Sequence, residues 1–228
     1  GRTMGTIAAT GQEKFSRPFE PNVPGFIHVP YNDIDALIEA VNPKTAAIML
    51  ELIQGESGVH PADLEYIKAV RKLCSEKGII LIFDEVQTGI GRTGKLFCYQ
   101  TYGVVPDIMT LAKGLGGGLP LGATVLGEKV ENVLKAGDHG STFGGNPVCA
   151  AGACNILERI DDKLLEGVRQ RSEYIVNELK DAKGVKSVSG MGLMLGIDPE
   201  KPAAEVVAAC RERGVLVLTA KTKVRLLP

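Results

Sequence analysis

Three groups of residues in this chain have types and settings that can do chemistry. The first is Lys113, delivered by the apolar run Ile108-Met109-Thr110-Leu111 into Gly114-Leu115-Gly116-Gly117-Gly118. A lysine at the end of a buried strand must be paired, neutral or covalently modified. Desolvation lowers its pKa and frees the amine to attack carbonyls. The plain alternative is a side chain that snorkels to solvent at a loop edge. The second is Asp84, which ends Ile79-Ile80-Leu81-Ile82-Phe83 and is followed by Glu85-Val86-Gln87-Thr88-Gly89. A carboxylate there needs a cation or several donors, unless it only caps the next turn. The third is Ser141-Thr142 within Gly140-Ser141-Thr142-Phe143-Gly144-Gly145-Asn146-Pro147. Two hydroxyls among glycines before a helix suit an anion such as phosphate, or an ordinary capping turn. Glu51 and Glu56 lie just past a short strand, where ligand contact and surface solvation are both open readings.

Other chemistries lack their parts. No G-x-x-x-x-G-K-[ST] is present, and no G-x-G-x-x-G opens a helix with an acid about 20 residues on. His28, His60 and His139 are scattered without metal-ligand spacing, so no metal site is expected. There is no G-x-S-x-G elbow. The net charge of −1 gives no basic footprint for nucleic acid. No apolar run reaches the ~18 residues of a membrane helix. Five scattered cysteines without a CxxC pair, and no signal peptide, point to reduced thiols in the cytoplasm.

The elements that must position these groups alternate. Glycine is 28 of 228 residues, about 12% against a usual ~7%, and clusters in a few loops. The first thirty residues read as loop, broken by Pro18, Pro21, Pro24 and Pro30. Asn32-Asp33-Ile34-Asp35 starts a helix with capping side chains. Ala46–Leu50 is a short buried strand. Pro61 opens a helix with Leu64, Ile67, Val70, Leu73 and Cys74 as its apolar stripe, ended by Gly78. Ile79–Phe83 is apolar on both faces, as in a covered parallel sheet. A short helix over Leu96–Tyr102, the strand leading to Lys113, a strand over Gly122–Leu126 and a short helix over Glu128–Leu134 follow. From Val148 to Lys180 the pattern is helical, with a break near Asp161-Asp162. Then come strands at Gly184–Gly190 and Met191–Ile197, a helix over Pro202–Arg213, and strands at Val215–Leu218 and Val224–Leu227. Strand and helix in alternation argue for an α/β domain with a largely parallel sheet. The smaller, antiparallel-looking tail places a boundary near residue 157.

An acid after one buried strand, a lysine after the next, and a Ser-Thr loop later are the parts pyridoxal 5'-phosphate needs. Its aldehyde needs a lysine, its ring nitrogen a carboxylate, and its phosphate amides and hydroxyls. The stretches Glu51-Leu52-Ile53-Gln54-Gly55-Glu56-Ser57-Gly58, Phe83-Asp84-Glu85-Val86-Gln87-Thr88-Gly89, Leu111-Ala112-Lys113-Gly114 and Gly140 to Pro147 resemble the class III aminotransferases, in order and from Gly1 to Pro228.

That resemblance implies a fold type I pyridoxal-phosphate transferase. It has a largely parallel central sheet with helices on both faces over residues 1–157, and part of a smaller α+β C-terminal domain over 158–228, both incomplete. It implies that Lys113 forms the Schiff base and moves the proton, that Asp84 pairs with the pyridine nitrogen, that Val86 packs on one ring face and that Gln87 bonds the ring oxygen. Thr142, with Ser141, would bind the phosphate of the neighbouring subunit's cofactor, giving a homodimer with shared sites. Arg2 resembles the arginine for the substrate's far carboxylate, and Arg225 the one for the α-carboxylate of glutamate or 2-oxoglutarate. Glu56 would hold Arg225 while the amino donor is bound. The implied reaction moves the terminal amino group of N2-acetylornithine to 2-oxoglutarate, in arginine biosynthesis. Ornithine, succinylornithine or 4-aminobutyrate are alternative donors. A non-catalytic piece serving dimer assembly, and an anion-binding module, are readings of other classes. The family's first phosphate loop and ring-stacking aromatic are expected upstream of Gly1. The chain therefore reads as an internal piece that binds the cofactor weakly by itself.

Overall fold

The computed structural model describes residues 2–228; Gly1, where the first loop-rich segment is expected to begin, lies outside them. The chain divides into two units, one up to Thr45 and one from Ala46 to Pro228.

The first unit is more helical than its prolines suggest. It holds α1 (Met4–Ala9), α2 (Glu13–Ser16), a 3-10 turn (Arg17–Phe19) and α3 (Ile34–Ala40). The expected cap is present: Asp33 Oδ1 accepts the N–H of Ala36 at 2.9 Å. Leu37 is buried on α3, whereas Ile38 of the same apolar stripe is half exposed.

The second unit is built on β1 (Ala47–Glu51), β2 (Ile53–Gln54), β3 (His60–Pro61), α4 (Leu64–Lys77), β4 (Ile80–Asp84), α5 (Tyr99–Tyr102), β5 (Ile108–Leu111) and β6 (Ala123–Leu126). The main sheet has the order β1-β4-β5-β6. Its first three strands are parallel and β6 runs antiparallel. Parallel pairing needs crossovers, and α4 supplies the one from β1 to β4. Its buried face of Ile67, Val70 and Cys74 packs toward Leu81 and Phe83, all fully buried. Each such aliphatic side chain contributes about 1.5–3 kcal/mol relative to exposure. Gly78 ends α4 at φ 72°, a left-handed position that costs glycine nothing.

Two local expectations fail, for identifiable reasons. Pro61 does not open α4: it pairs with Ile53 across the β2–β3 ladder, and the helix starts three residues later behind Asp63. Residues 128–134 form turns, not a helix. There Lys129 Nζ reaches back to the carbonyls of Gly78 and Ile79 at 3.3 and 3.0 Å. Asp107 anchors the same corner, accepting the N–H of Leu81 at 2.7 Å and Nη1 of Arg71 at 3.0 Å.

The remainder is α6 (Pro147–Arg159), α7 (Asp162–Leu179), β7 (Val185–Met191), β8 (Met194–Pro199), α8 (Ala203–Glu212), β9 (Leu218–Ala220) and β10 (Lys223–Leu226). The helical break at Asp161-Asp162 is where it is expected, with Asp161 Oδ1 capping α7 through the N–H of Leu164. β7-β8-β10-β9 form a second, antiparallel sheet. The strand expected at Val215–Leu218 begins later, because the N–H of Val215 closes the end of α8 on the carbonyl of Cys210. A cluster of Met109, Leu111, Leu115 and Ala153 fastens α6 onto the turn that carries Lys113.

Candidate active site

The carboxyl edge of the main sheet gathers the chemistry. Glu51 ends β1, Asp84 ends β4 and Lys113 stands two residues past β5. Lys113 opens a 3-10 turn (Lys113–Gly116) at φ 45°. A left-handed backbone at a residue with a Cβ costs about 1–3 kcal/mol, and such strain gathers where geometry is imposed. Val59 and Ile90, both β-branched, share this conformation at φ 57° and 60°. Val59 is held by the hydroxyl of Ser189, which donates to its carbonyl at 2.8 Å and receives Lys223 Nζ at 2.9 Å.

Burial pushes the Lys113 amine below its ordinary pKa, against the pull of Glu51, Glu56 and Asp84 and together with the nearby charge of Arg225. Asp84 turns one oxygen to the backbone, Oδ1 accepting the N–H of Val86 at 2.9 Å. Thr110, in register beside Asp84 on β5, has a buried hydroxyl with no hydrogen-bond partner.

A second group is locked together nearby. Arg225 Nη1 donates to Glu56 Oε1 at 2.8 Å and to Gln87 Oε1 at 3.4 Å, and Gln87 Nε2 donates to the same Glu56 oxygen at 3.2 Å. Arg225 is buried, with its Nε unpartnered. Glu56 is held below the usual carboxylate range, first by the Arg225 bond. Gly55 makes room for the cluster: a Cβ there would sit 2.0 Å from Gln87 Oε1. Val86, Gln87, Lys113, Gly114, Arg92 and Leu193 are among the residues lining a cleft of about 260 Å³ beside it.

The loop between β4 and α5 is fixed by a residue to which sequence reading assigned no role. Glu85 is fully buried and accepts from Thr88 Oγ1 at 2.6 Å and from the N–H groups of Cys98 and Tyr99 at 2.9 and 2.7 Å. Desolvation still raises its pKa above the carboxylate norm. Arg92 ties the loop to the β7–β8 turn, donating to the carbonyls of Leu193 and Pro228 and accepting the N–H of Leu193. Neither link leaves a local signal, since each is made by a charged residue in a run that also reads as loop.

Asp84, Glu56 and Arg225 lie near enough to Lys113 to act on its charge, and Gln87 bridges Glu56 and Arg225. Ser141 and Thr142 are exposed and do not line the cleft, and α6 is capped by Asn146, whose Oδ1 accepts the N–H groups of Val148 and Cys149. Arg2 belongs to the first unit, its guanidinium 4.1 Å from the centre of the Phe15 ring. No cluster of three metal-ligating side chains occurs among the described residues, and no described helix is long and apolar enough to cross a membrane.

A lysine amine and a carboxylate at adjoining strand ends of a mostly parallel α/β sheet, beside a buried arginine clamp, define a class that comparison with known proteins identifies. The Aminotransferase class-III family matches the chain over residues 1–228, and the chain belongs to that family. It is 55% identical over 223 residues to the acetylornithine aminotransferase of Caldanaerobacter subterraneus subsp. tengcongensis, covering 95% of this chain and 56% of that protein. The acetylornithine aminotransferase of Methanocaldococcus jannaschii is 49% identical, with 100% of this chain and 59% of that protein covered. Among solved structures, the ornithine aminotransferase of Toxoplasma gondii superposes with a TM-score of 0.91 at 34% identity, covering all of this chain and 57% of that one. The acetylornithine aminotransferase of Elizabethkingia anophelis gives 0.81 at 36% identity, covering 90% and 55%. The chain therefore spans less than two thirds of the length of these relatives.

Proposed function

We propose that this protein transfers the terminal amino group of N2-acetylornithine to 2-oxoglutarate, with pyridoxal 5'-phosphate as cofactor. The observation that carries the reading is the Arg225–Glu56–Gln87 lock beside a lysine whose amine is partly desolvated. A buried guanidinium held by a displaceable carboxylate can exchange that carboxylate for a substrate's. Two curated relatives that are 49% and 55% identical carry the acetylornithine name, which supports this donor. The Toxoplasma structure favours ornithine as a second reading of the donor.

The residues present fit the cofactor. Its chemistry, when bound, is an aldehyde carbon and a ring that stores an electron pair. Lys113 would supply the amine for the aldehyde and would carry a proton. Asp84, its Oδ1 steadied by the Val86 N–H, would pair with the ring nitrogen. The hydroxyl of Thr110 at this edge, and the Nε of Arg225 on β10, are buried donors without a hydrogen-bond partner. Val86 and Gln87, which line the cleft beside Lys113, would help to hold the ring. Arg225 takes the α-carboxylate of glutamate or 2-oxoglutarate, and Glu56 swings aside for it. Ser141 and Thr142, exposed on this chain, serve the phosphate site of a second copy, so the working unit is a homodimer. Residues 1–157 contribute to a large cofactor-binding domain and 158–228 to a small one. The protein acts in the cytoplasm, where its five free cysteines stay reduced.

The test is glutamate formation by the full-length protein from 2-oxoglutarate and each amine in turn. N2-acetylornithine is expected to give the highest kcat/KM, and Lys113→Ala to lose visible absorbance with added cofactor. A better rate with ornithine moves the donor. Absorbance that survives Lys113→Ala overturns the lysine's role.

A further inference from the structure

Glu56 reaches Arg225 from the loop over residues 55–59, which joins β2 to β3. That loop lies against β8 of the antiparallel sheet. A Cβ on Gly55 would meet Met194 Cε at 2.9 Å, and a Cβ on Gly196 would meet Val59 Cβ at 2.8 Å and the Gly58 carbonyl oxygen at 2.9 Å. Gly196 is therefore the seat for the far end of the loop, and its missing side chain is what lets the loop sit there.

Gly196 is also the middle of a row. It is in register with Ser189 on β7 and with Arg225 on β10. Register partners project to the same face of a sheet, on backbones about 4.8 Å apart. One face thus presents a hydroxyl, a gap and a guanidinium side by side. The loop fills the gap, with Ser189 holding one end and Arg225 the other. Ser189 Oγ donates to the Val59 carbonyl at 2.8 Å, nearer than the Gly196 carbonyl at 3.4 Å. Lys223, two residues before Arg225 on the same strand, donates its Nζ to Ser189 Oγ at 2.9 Å. An ammonium only donates, so it takes a lone pair of that oxygen and leaves the hydroxyl proton for Val59. Val59 is fully buried and left-handed at φ 57°. A β-branched residue keeps that conformation only where its surroundings impose it.

We infer, on the reading of Arg225 as the carboxylate site, that Ser189 is a positioning residue: by fixing Val59 it holds Glu56 closed on Arg225 and so sets how tightly Arg225 binds a dicarboxylate. The Glu56 side chain is 57% accessible and that of Arg225 8%, so closure depends on the loop returning the carboxylate to a fixed guanidinium. With Val59 released, closing the lock orders more chain and the closed fraction falls. A ligand that competes with Glu56 binds only the open fraction, so its apparent affinity rises as that fraction grows. Loss of the Ser189 hydroxyl therefore loosens the loop and tightens dicarboxylate binding. General damage to the site would weaken binding instead.

The experiment uses the full-length protein with pyridoxal 5'-phosphate and, as probe, glutarate, which has both carboxylates of 2-oxoglutarate and no keto group to react. Calorimetry gives its Kd for the wild type, Ser189→Ala, Glu56→Ala and the double variant. Ser189→Ala is expected to bind glutarate about threefold or more tighter, the size of one net hydrogen bond. Ser189→Thr, which keeps the hydroxyl, is expected to return to the wild-type Kd. In the Glu56→Ala background the serine substitution is expected to change nothing, because no lock is left to open. An unchanged or weaker Kd in Ser189→Ala, or an equal change in both backgrounds, overturns the positioning role. If Ser189→Ala does not fold, Gly196→Ala decides. Its methyl group lifts Val59 from its seat and removes no hydrogen-bonding group, so the same tightening, again dependent on Glu56, is expected, and its absence overturns the role. Glu56→Ala alone separates the two levels. If it binds glutarate more tightly than the wild type while Ser189→Ala does not, the role of Ser189 fails and carboxylate exchange at Arg225 stands. If it binds no more tightly, the exchange itself fails, and the role of Ser189 with it.

Discussion

Arg225 Nη1 donates to Glu56 Oε1 at 2.8 Å across 169 residues of sequence, and the two partners are unequally exposed. The arginine side chain is 8% accessible and the glutamate 57%. The guanidinium is thus fixed in the protein, while its partner can leave into solvent. Removing the mobile partner strands a buried charge. Glu56→Ala is expected to destabilise the chain and to make its stability depend on added dicarboxylate. Thermal melts with and without 2-oxoglutarate check this. An equal shift in the mutant and the wild type would show that Glu56 does not occupy the ligand's place.

Gly55 holds the neighbouring contact open. A methyl group there would meet Gln87 Oε1 at 2.0 Å and Met194 Cε at 2.9 Å. Gly55→Ala must therefore expel Gln87 from its bridge between Glu56 and Arg225. Overpacking of this kind costs about 1–3 kcal/mol. The loss in kcat/KM for the amine should be tenfold or so, about 1.4 kcal/mol. Steady-state kinetics beside a urea melt separate the two effects. Wild-type kinetics in Gly55→Ala would mean that the Gln87 bridge is dispensable.

The strained backbone of Lys113 gives a stability prediction that runs opposite to function. At φ 45° any residue with a Cβ is penalised, by about 1–2 kcal/mol, and glycine is not. Lys113→Gly is expected to be more stable than Lys113→Ala by about 1 kcal/mol, after glycine's greater chain entropy is subtracted. Both should be inactive. Urea midpoints of the two variants decide it, and an alanine variant as stable as the glycine one removes the claim of strain.

Much of this site is legible in the sequence because residue type and strand pattern are local. Ile79–Phe83 shows itself as a buried strand by five consecutive apolar residues, and Asp84 by interrupting them. Lys113 is legible because a lysine is costly where a buried strand ends. What is hidden depends on pairing. The register that sets Glu51 against Asp84 is fixed by which strands adjoin, and no spacing along the chain encodes it. Pro61 misleads because a helix-start rule and an edge-strand rule both accept proline, and the Ile53 pairing decides between them. Glu85 is hidden by its neighbour: of two adjacent acids, only the folded loop shows which one points inward.

That inward acid supports a further prediction. Glu85 accepts from one hydroxyl and two backbone N–H groups. Glu85→Ala would leave those donors buried and unpaired, at about 1–3 kcal/mol for each one that finds no water. The expected loss is several kcal/mol. Amide exchange at Cys98 and Tyr99 should accelerate more than exchange in α4. Uniform acceleration across both would mean that Glu85 supports the whole unit, not this loop.

The pH dependence of stability follows from the two shifted glutamates, which act in separate windows. Glu56 lies below its ordinary 4.5 because of Arg225, so its contribution is present above about 4.5 and is lost as the pH falls through its folded value. Glu51 is raised from 4.5 to about 7, first by burial. Between those values the folded chain keeps a proton that the unfolded chain has released. Stability therefore falls as the pH rises through this window, and the cost is complete above about 7. The shift corresponds to at most about 3 kcal/mol, reduced by whatever solvent reaches the carboxyl. Glu51→Gln cannot ionise and should escape that fall. Its advantage over wild type in unfolding free energy, read from urea melts, is expected to grow by about 1–3 kcal/mol between pH 5 and pH 8. An advantage that stays constant across the window would mean that Glu51 titrates in the ordinary carboxylate range.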